Sequence, residues 1–469
     1  MSSMLGRIAA FPAQIHALRS LFDNPVDALP EAVFSERIVE RHLMRQHIVY
    51  VCAPDLVREA LVTHSAFLDK GEGLRRAIGP GLGQGLLTAE GDQWRWQRQA
   101  LAPVFRPAGT AAFLPAMLRA TDRCVQDLAL SEGKVEIDQV MMRLTGRIIV
   151  ETMLSDPEAV DADGLATGLA TFLKQTRWSL LGDMLGTPEW LPHPGKAEGM
   201  RAARALRREA MAQIGRRRAA QSPAPDDLLS RLLKARDPET GRAMNDEEIV
   251  DNLLTFLTAG HETTALALAW TFDRLGRHPE TLRAVQAEID ACFAQIDPDA
   301  TGPVESSSAD VPNATTLTMD HLQKLDLTRA VLRESMRLTP PAPIIVREVR
   351  ENFTLDSVRL TRGTRLVVPI YAIHRHHALW EAPEIFDPSR FLGPNSAGKG
   401  MDRYAYLPFG AGPRICIGAH FAETEALVIL ATMLRHLKLT PLLRDAPPGK
   451  MEITFRPAKP LLMTVQRRA

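Results

Sequence analysis

Residues 409–418 read FGAGPRICIG, and Cys416 is the member of that run able to hold a metal. To bind iron, a cysteine must be a thiolate, so its surroundings must favour negative charge. Backbone N–H groups aimed at the sulfur provide this and tune its redox potential. Gly410 and Gly412 permit the tight turns that expose such groups. Gly418 lets a flat cofactor approach the backbone, and a helix after it turns its positive end toward the thiolate. Arg414 can reach an anionic group at the cofactor's edge. The plain alternative is a glycine-rich loop with a chance cysteine. Phe-Gly-Arg-Cys-Gly at these spacings arises by chance roughly once in 10^7 starting positions, which sets that alternative aside.

Residues 259–264 read AGHETT. A hydroxyl beside an acid on one helix turn, here Thr263 and Glu262, can pass protons to a reacting oxygen. Gly260 leaves room for a small molecule and suggests a local helix distortion. Equally, Thr263 can bond back to a helix carbonyl and Glu262 can simply be paired; the notch alone leaves both readings open. His261 reads as a packing or surface group. Glu334 and Arg337 form an ExxR pair, a spacing that recurs in the chain, for example from Glu72, Glu198 and Glu280. The spacing puts both charges on one helix face, so most copies are ordinary ion pairs. Glu334 and Arg337 differ in context, being followed by Pro340-Pro341, strands and then FDPSRF at 386–391. In WRWQR at 94–98, Trp94 and Arg98 share a helix face, which alone reads as a surface Arg beside a half-buried Trp.

The elements that position these residues are mostly helical. A helix capped by Asn245 and Glu248 is predicted, apolar on nearly every side from Ile249 to Trp270. Charge at its middle argues for a buried central helix and against a membrane span. A last helix is predicted from about Gly418 to Leu437, and a hairpin from 358–360 through the turn 361–364 to 366–370. Arg216 to Asp227 and Asp297 to Leu317 read as loops within one domain. The N-terminal apolar run from Ile8 is broken at Pro12, Gln14 and His16, too short for a span. Lys plus Arg and Asp plus Glu are 56 each, which gives no hint of nucleic acid as a partner. Cys52, Cys124, Cys292 and Cys416 lie far apart, fitting neither zinc nor a disulfide framework and pointing to a reducing, cytoplasmic setting.

Together these motifs resemble the cytochrome P450 family. The cysteine loop meets every fixed position of its signature FxxGxRxCxG, and AGHETT meets (A/G)Gx(D/E)T(T). Trp94 and Arg98 match WxxxR; Glu334 and Arg337 match ExxR, and Arg390 matches the Arg of a PxRF-like element. The resemblance runs in family order from about Ala53 to the end. It implies one mainly α (α+β) domain over 1–469, triangular and helical, with a small β-rich lobe from about 30–70 and 340–375. It implies haem b, with Cys416 as axial ligand and Phe409, Gly410, Arg414, Gly418 and Ala259 around it. Trp94, Arg98 and Arg347 would meet the propionates. Glu262 and Thr263 would deliver protons, and Glu334, Arg337 and Arg390 would form a structural triad. Leu87, Thr258, Ala259, Thr263, Ala342 and Ile345 would wall the substrate, predicting a fatty acid, terpenoid, steroid or aromatic hydrocarbon.

The implied reaction inserts one oxygen atom of O2 into that substrate. With 53 residues after Cys416 (469 − 416), electrons are expected from a separate ferredoxin or flavodoxin, fed by an NAD(P)H-dependent reductase. It would dock near Arg95, Arg403 and Arg414. A peroxide-driven peroxygenase and a non-enzymatic haem sensor are the alternatives. A monomer without a transmembrane anchor is expected.

Overall fold

The computed structural model describes residues 20, 22–43, 46–131, 133–155, 162–184, 186–188, 190–220, 224–295, 317–393 and 400–468. The helices central to the site are α1 (Gly91–Leu101), α2 (Ile137–Leu154), α3 (Asp246–Arg277), α4 (Asp326–Leu338) and α5 (Ala419–His436). Helix α3 starts on the predicted capping box. Glu248 N–H donates to Asn245 Oδ1 at 2.9 Å, and Asn245 N–H to Glu248 Oε2 at 3.0 Å. Acidic residues fill its first turn and Arg274 and Arg277 its last, matching the helix dipole. It is buried along most of its length and packs chiefly against α2. The distortion expected at Gly260 is not there, for α3 is α-helical throughout. A Cβ on Gly260 would sit 2.8 Å from Ile149 Cδ1, so this glycine lets α3 lie close on α2.

The strands are β1 (Ile38–Leu43), β2 (Gln46–Val51), β3 (Leu68–Asp69), β4 (Gly133–Glu136), β5 (Ile345–Val349), β6 (Phe353–Leu355), β7 (Val358–Leu360), β8 (Arg365–Val368), β9 (Leu437–Pro441), β10 (Gly449–Met451), β11 (Phe455–Pro457) and β12 (Leu462–Arg467). The five-stranded sheet has order β1-β2-β8-β5-β3, with β2 and β8 parallel. The others are β4-β12-β9 and the hairpins β6-β7 and β10-β11. This corrects the predicted hairpin. Val358–Leu360 turns back on Phe353–Leu355 through Asp356, whose φ of +53° suits a tight two-residue turn, while β8 joins the other sheet.

The apolar core has two main bodies. One is helical, built on α2, α3 and α5; the other lies under the five-stranded sheet. The cysteine loop sits at their seam: Leu407 and Ala411 belong to the sheet-side body, while Phe409 and Ile417 pack against the helical one. Part of the predicted loop at 216–227 is helical instead. The helix Lys196–Ala219 extends into its first four residues, where Arg217 is held inward by Asp227 at 2.6 Å and Leu154 O at 2.9 Å; the described residues beyond, up to Asp227, are loop as predicted. Residues 297–316 and the N-terminal run from Ile8 to His16 lie outside the described residues. Among the described residues, no helix is long and apolar enough to cross a membrane.

Candidate active site

Gly410 and Gly412 adopt φ of +74° and +72°, as the tight turns require. At Gly412 a Cβ would also lie 2.1 Å from Leu61 O, so backbone approach excludes any side chain. The Cys416 N–H donates to Phe409 O at 2.9 Å, closing the loop, and Gly418 caps α5. The four cysteines are free. Burial pushes the Cys52 and Cys124 thiols up, to about 12 and about 11, leaving them inert. Cys416 is exposed, but to an internal cavity of about 760 Å³. Burial raises its thiol too, while the Gly418 N–H and the Arg98 charge pull it down.

Phe409, Gly410, Arg414 and Gly418 line that cavity with Cys416, as do Trp94, Arg98 and Arg347. Arg98 is carried on α1, which Gln97 fixes to α3: Asn252 Nδ2 donates to Gln97 Oε1 at 3.1 Å. The Arg98 side chain has no hydrogen-bond or ion-pair partner among the described residues, and the Arg347 side chain bonds there only to the neighbouring Val346 carbonyl, at 2.8 Å. Burial, then the Arg414 charge, lowers Arg347 to about 10. Lys70, absent from the sequence-derived site, joins them. Burial, then Arg414 and Arg347, brings it to about 7, with Glu90 opposing. Arg414 does not reach out to solvent as a docking residue. It is ion-paired with Glu90, bonds Ala89 O at 2.8 Å and stacks 4.0 Å over Trp94. Arg98, Arg347, Arg414 and Lys70 thus cluster around Glu90, with Asp69 near but paired to Arg350, a set that has room for more negative charge.

The opposite wall is α3. Thr258, Ala259 and Thr263 face the cavity, with Leu87, Ala342 and Ile345 completing the wall. The Thr263 hydroxyl donates to Ala259 O at 2.7 Å, the back-bonded arrangement. Glu262 is not in the cavity wall. Its carboxylate accepts from Thr454 at 2.5 Å and pairs with Arg456, both from the β10–β11 hairpin. His261 packs outward, Nε2 lying 2.8 Å from Met142 O.

Beneath the loop, Glu334 and Arg337 are fully buried and paired twice, at 2.7 and 2.8 Å. Arg337 also donates to the carbonyls of His374, Pro383 and Ile385 at 2.7, 2.7 and 3.1 Å. Arg390 Nε stands 3.6 Å from Glu334 Oε1 and its Nη2 donates to Ala382 O, a looser third member.

Residues 32–465 match the family model described as Cytochrome P450. The chain belongs to the cytochrome P450 family. It is 32% identical over 426 residues to Cyclooctat-9-en-7-ol 5-monooxygenase of Streptomyces melanosporofaciens, covering 90% of this chain and 86% of that one. Cyclooctatin synthase of the same organism is 31% identical, covering 96% and 93%. Human Cytochrome P450 4F12 is 29% identical, covering 89% and 80%. The solved cytochrome P450DA heme domain superposes with a TM-score of 0.79 at 26% identity, covering 92% and 90%.

The chain is therefore a cytochrome P450 monooxygenase with the mainly helical fold of that family. Haem is the cofactor the family implies, and the cavity of this cytochrome P450 fits it. A thiol faces a glycine-lined floor, and cations lacking a carboxylate partner among the described residues stand at one edge. Lys70, Glu90, His374 and the hairpin partners of Glu262 escaped sequence reasoning because each is joined to the site only by the fold.

Proposed function

We propose that this cytochrome P450 holds haem b through Cys416 and inserts one oxygen atom of O2 into an apolar substrate. The observation that carries this is the Cys416 thiol, opening into a cavity whose facing cations, Arg98 and Arg347, have no carboxylate partner among the described residues. The bound haem would supply the activation of dioxygen. Arg98, Arg347, Trp94 and Lys70 would hold its carboxylates, and Gly418 N–H would temper the thiolate. Phe409, Gly410 and Ala259 would leave it flat space. Thr263 Oγ1 would turn from Ala259 O to release a proton into the cavity. Glu262 would refill it after letting go of Thr454 and Arg456 and taking up a proton from solvent water. Glu334, Arg337 and Arg390 would hold the loop in shape.

Leu87, Ala342 and Ile345 favour an aliphatic guest, and a relative is named for oxygenating cyclooctat-9-en-7-ol. A terpenoid, with fatty acids, steroids and aromatic hydrocarbons behind it, is the substrate class proposed. Electrons would come from a ferredoxin or flavodoxin served by an NAD(P)H-dependent reductase, docking where Arg95 and Arg403 are exposed. Charge reversal at Arg95 should slow reduction; unchanged kinetics would remove that face. The test of substrate class is a low-to-high-spin titration of the purified protein with a lipid, terpenoid and steroid panel. Apolar compounds should shift the spectrum, and shifts confined to charged, strongly polar compounds would refute the reading. A peroxide-driven reaction is the second reading, favoured by Glu262 lying outside the cavity wall. Hydrogen peroxide outpacing the reduced partner would establish it.

A further inference from the structure

His374 lies between the Arg337 network and the cysteine loop, is fully buried, and belongs to none of the motifs that mark the site. Its ring has two fixed neighbours. Nε2 accepts the Leu407 N–H at 2.8 Å, and a backbone N–H can only donate. Nδ1 stands 3.2 Å from Arg337 O, which can only accept. The pair admits one state: neutral imidazole with its proton on Nδ1. Its backbone carbonyl in turn accepts from Arg337 Nη1 at 2.7 Å, so the two residues bind each other twice. The ring is stacked on Tyr406, centroids 5.2 Å apart, and the Tyr406 hydroxyl donates to Arg333 O at 3.0 Å.

From Leu407 the contacts lead to the cysteine. Leu407 O accepts the Gly410 N–H, and Phe409 O accepts the Cys416 N–H, both at 2.9 Å. The geometry points to His374 as the positioning residue that registers the cysteine loop on the buried Glu334–Arg337 pair, through its Nε2 acceptor. This rests on Cys416 being the haem ligand only for its spectroscopic consequence; the register itself does not. Burial, then the nearby Arg337 charge, pushes the ring down to about 3, so the acceptor stays open across the working pH range.

The test replaces His374 by Gln, Asn and Phe in the full-length holoprotein. A Gln carbonyl reaches the place of Nε2, an Asn carbonyl only that of Nδ1, and Phe keeps the stacking with no acceptor. Two quantities are read: deuterium exchange of the peptide holding the Leu407, Gly410 and Cys416 amides, and the rate at which the thiolate-ligated CO band decays in mild guanidinium. H374N and H374F should raise exchange and band decay by roughly tenfold, the effect of orphaning one buried donor. H374Q should stay within about twofold of wild type. Equal behaviour of H374Q and H374N, or wild-type exchange in H374F, would overturn the proposal. If H374F fails to fold, the comparison of H374Q with H374N decides alone. Protection that depends on His374 without any thiolate band in the wild type would refute Cys416 ligation and leave the register standing.

Discussion

Replacing Arg337 by Lys preserves the charge and tests whether the buried pair works through geometry. Arg337 makes five hydrogen bonds from a planar fork, two to Glu334 and three to carbonyls. A lysine has three N–H donors on one atom and cannot span that set. At least two buried acceptors lose their partners. At about 1.5–3 kcal/mol for each bond to a charged group, the loss is about 3–6 kcal/mol. That is a large share of the ~5–15 kcal/mol that holds a typical folded domain. The chain carries its own control in the ExxR pair Glu280 and Arg283, whose side chains are 91% and 72% exposed at 3.3 Å. Arg283→Lys should cost under about 1 kcal/mol. Guanidinium unfolding followed by circular dichroism, with haem content measured on the same samples, compares the two. An R337K protein within about 1 kcal/mol of wild type, or an R283K protein equally destabilised, would refute the reasoning.

Gly412→Ala forces a Cβ onto Leu61 O in a left-handed conformation, costing at least about 1–2 kcal/mol; an undiminished melting temperature would contradict this. Acid should weaken the protein through His374. Its folded pKa of about 3 lies below the ordinary 6.5, so stability is intact above 6.5 and falls toward 3 as the unfolded chain takes up the proton. Between pH 7 and 5.5 this amounts to about 1.3 kcal/mol, which H374Q should abolish; an equal pH slope in both proteins would count against it. Thr263→Ala should yield more peroxide and less product per NAD(P)H with haem content unchanged. Unaltered coupling would remove Thr263 from proton delivery.

What could be read from sequence was what spacing encodes locally. The cysteine loop is ten consecutive residues whose glycines demand particular turns, and α3 announces itself by its capping box and its apolar surface. The buried ExxR was separable from its copies by the proline turn and FDPSRF after it. Glu262 shows where such reading stops. It neighbours Thr263 in sequence, but adjacent helical residues point about 100° apart, and only the fold reveals the hairpin that receives its carboxylate. Arg414 and Glu90 meet across 324 residues, and Lys70 joins them from a third segment. The misplaced hairpin had the right strand at Val358–Leu360 and the wrong partner, since pairing is settled by the left-handed turn at Asp356.

The central claim is that Cys416 ligates haem iron as a thiolate. The dithionite-reduced, CO-saturated protein tests it in one spectrum, with Cys416→Ser beside it. The wild type should show the strongly red-shifted Soret band of thiolate ligation at neutral pH, and the variant should lose it. A wild-type band at the position of a histidine- or thiol-ligated haem, or a red-shifted band that survives Cys416→Ser, would contradict it.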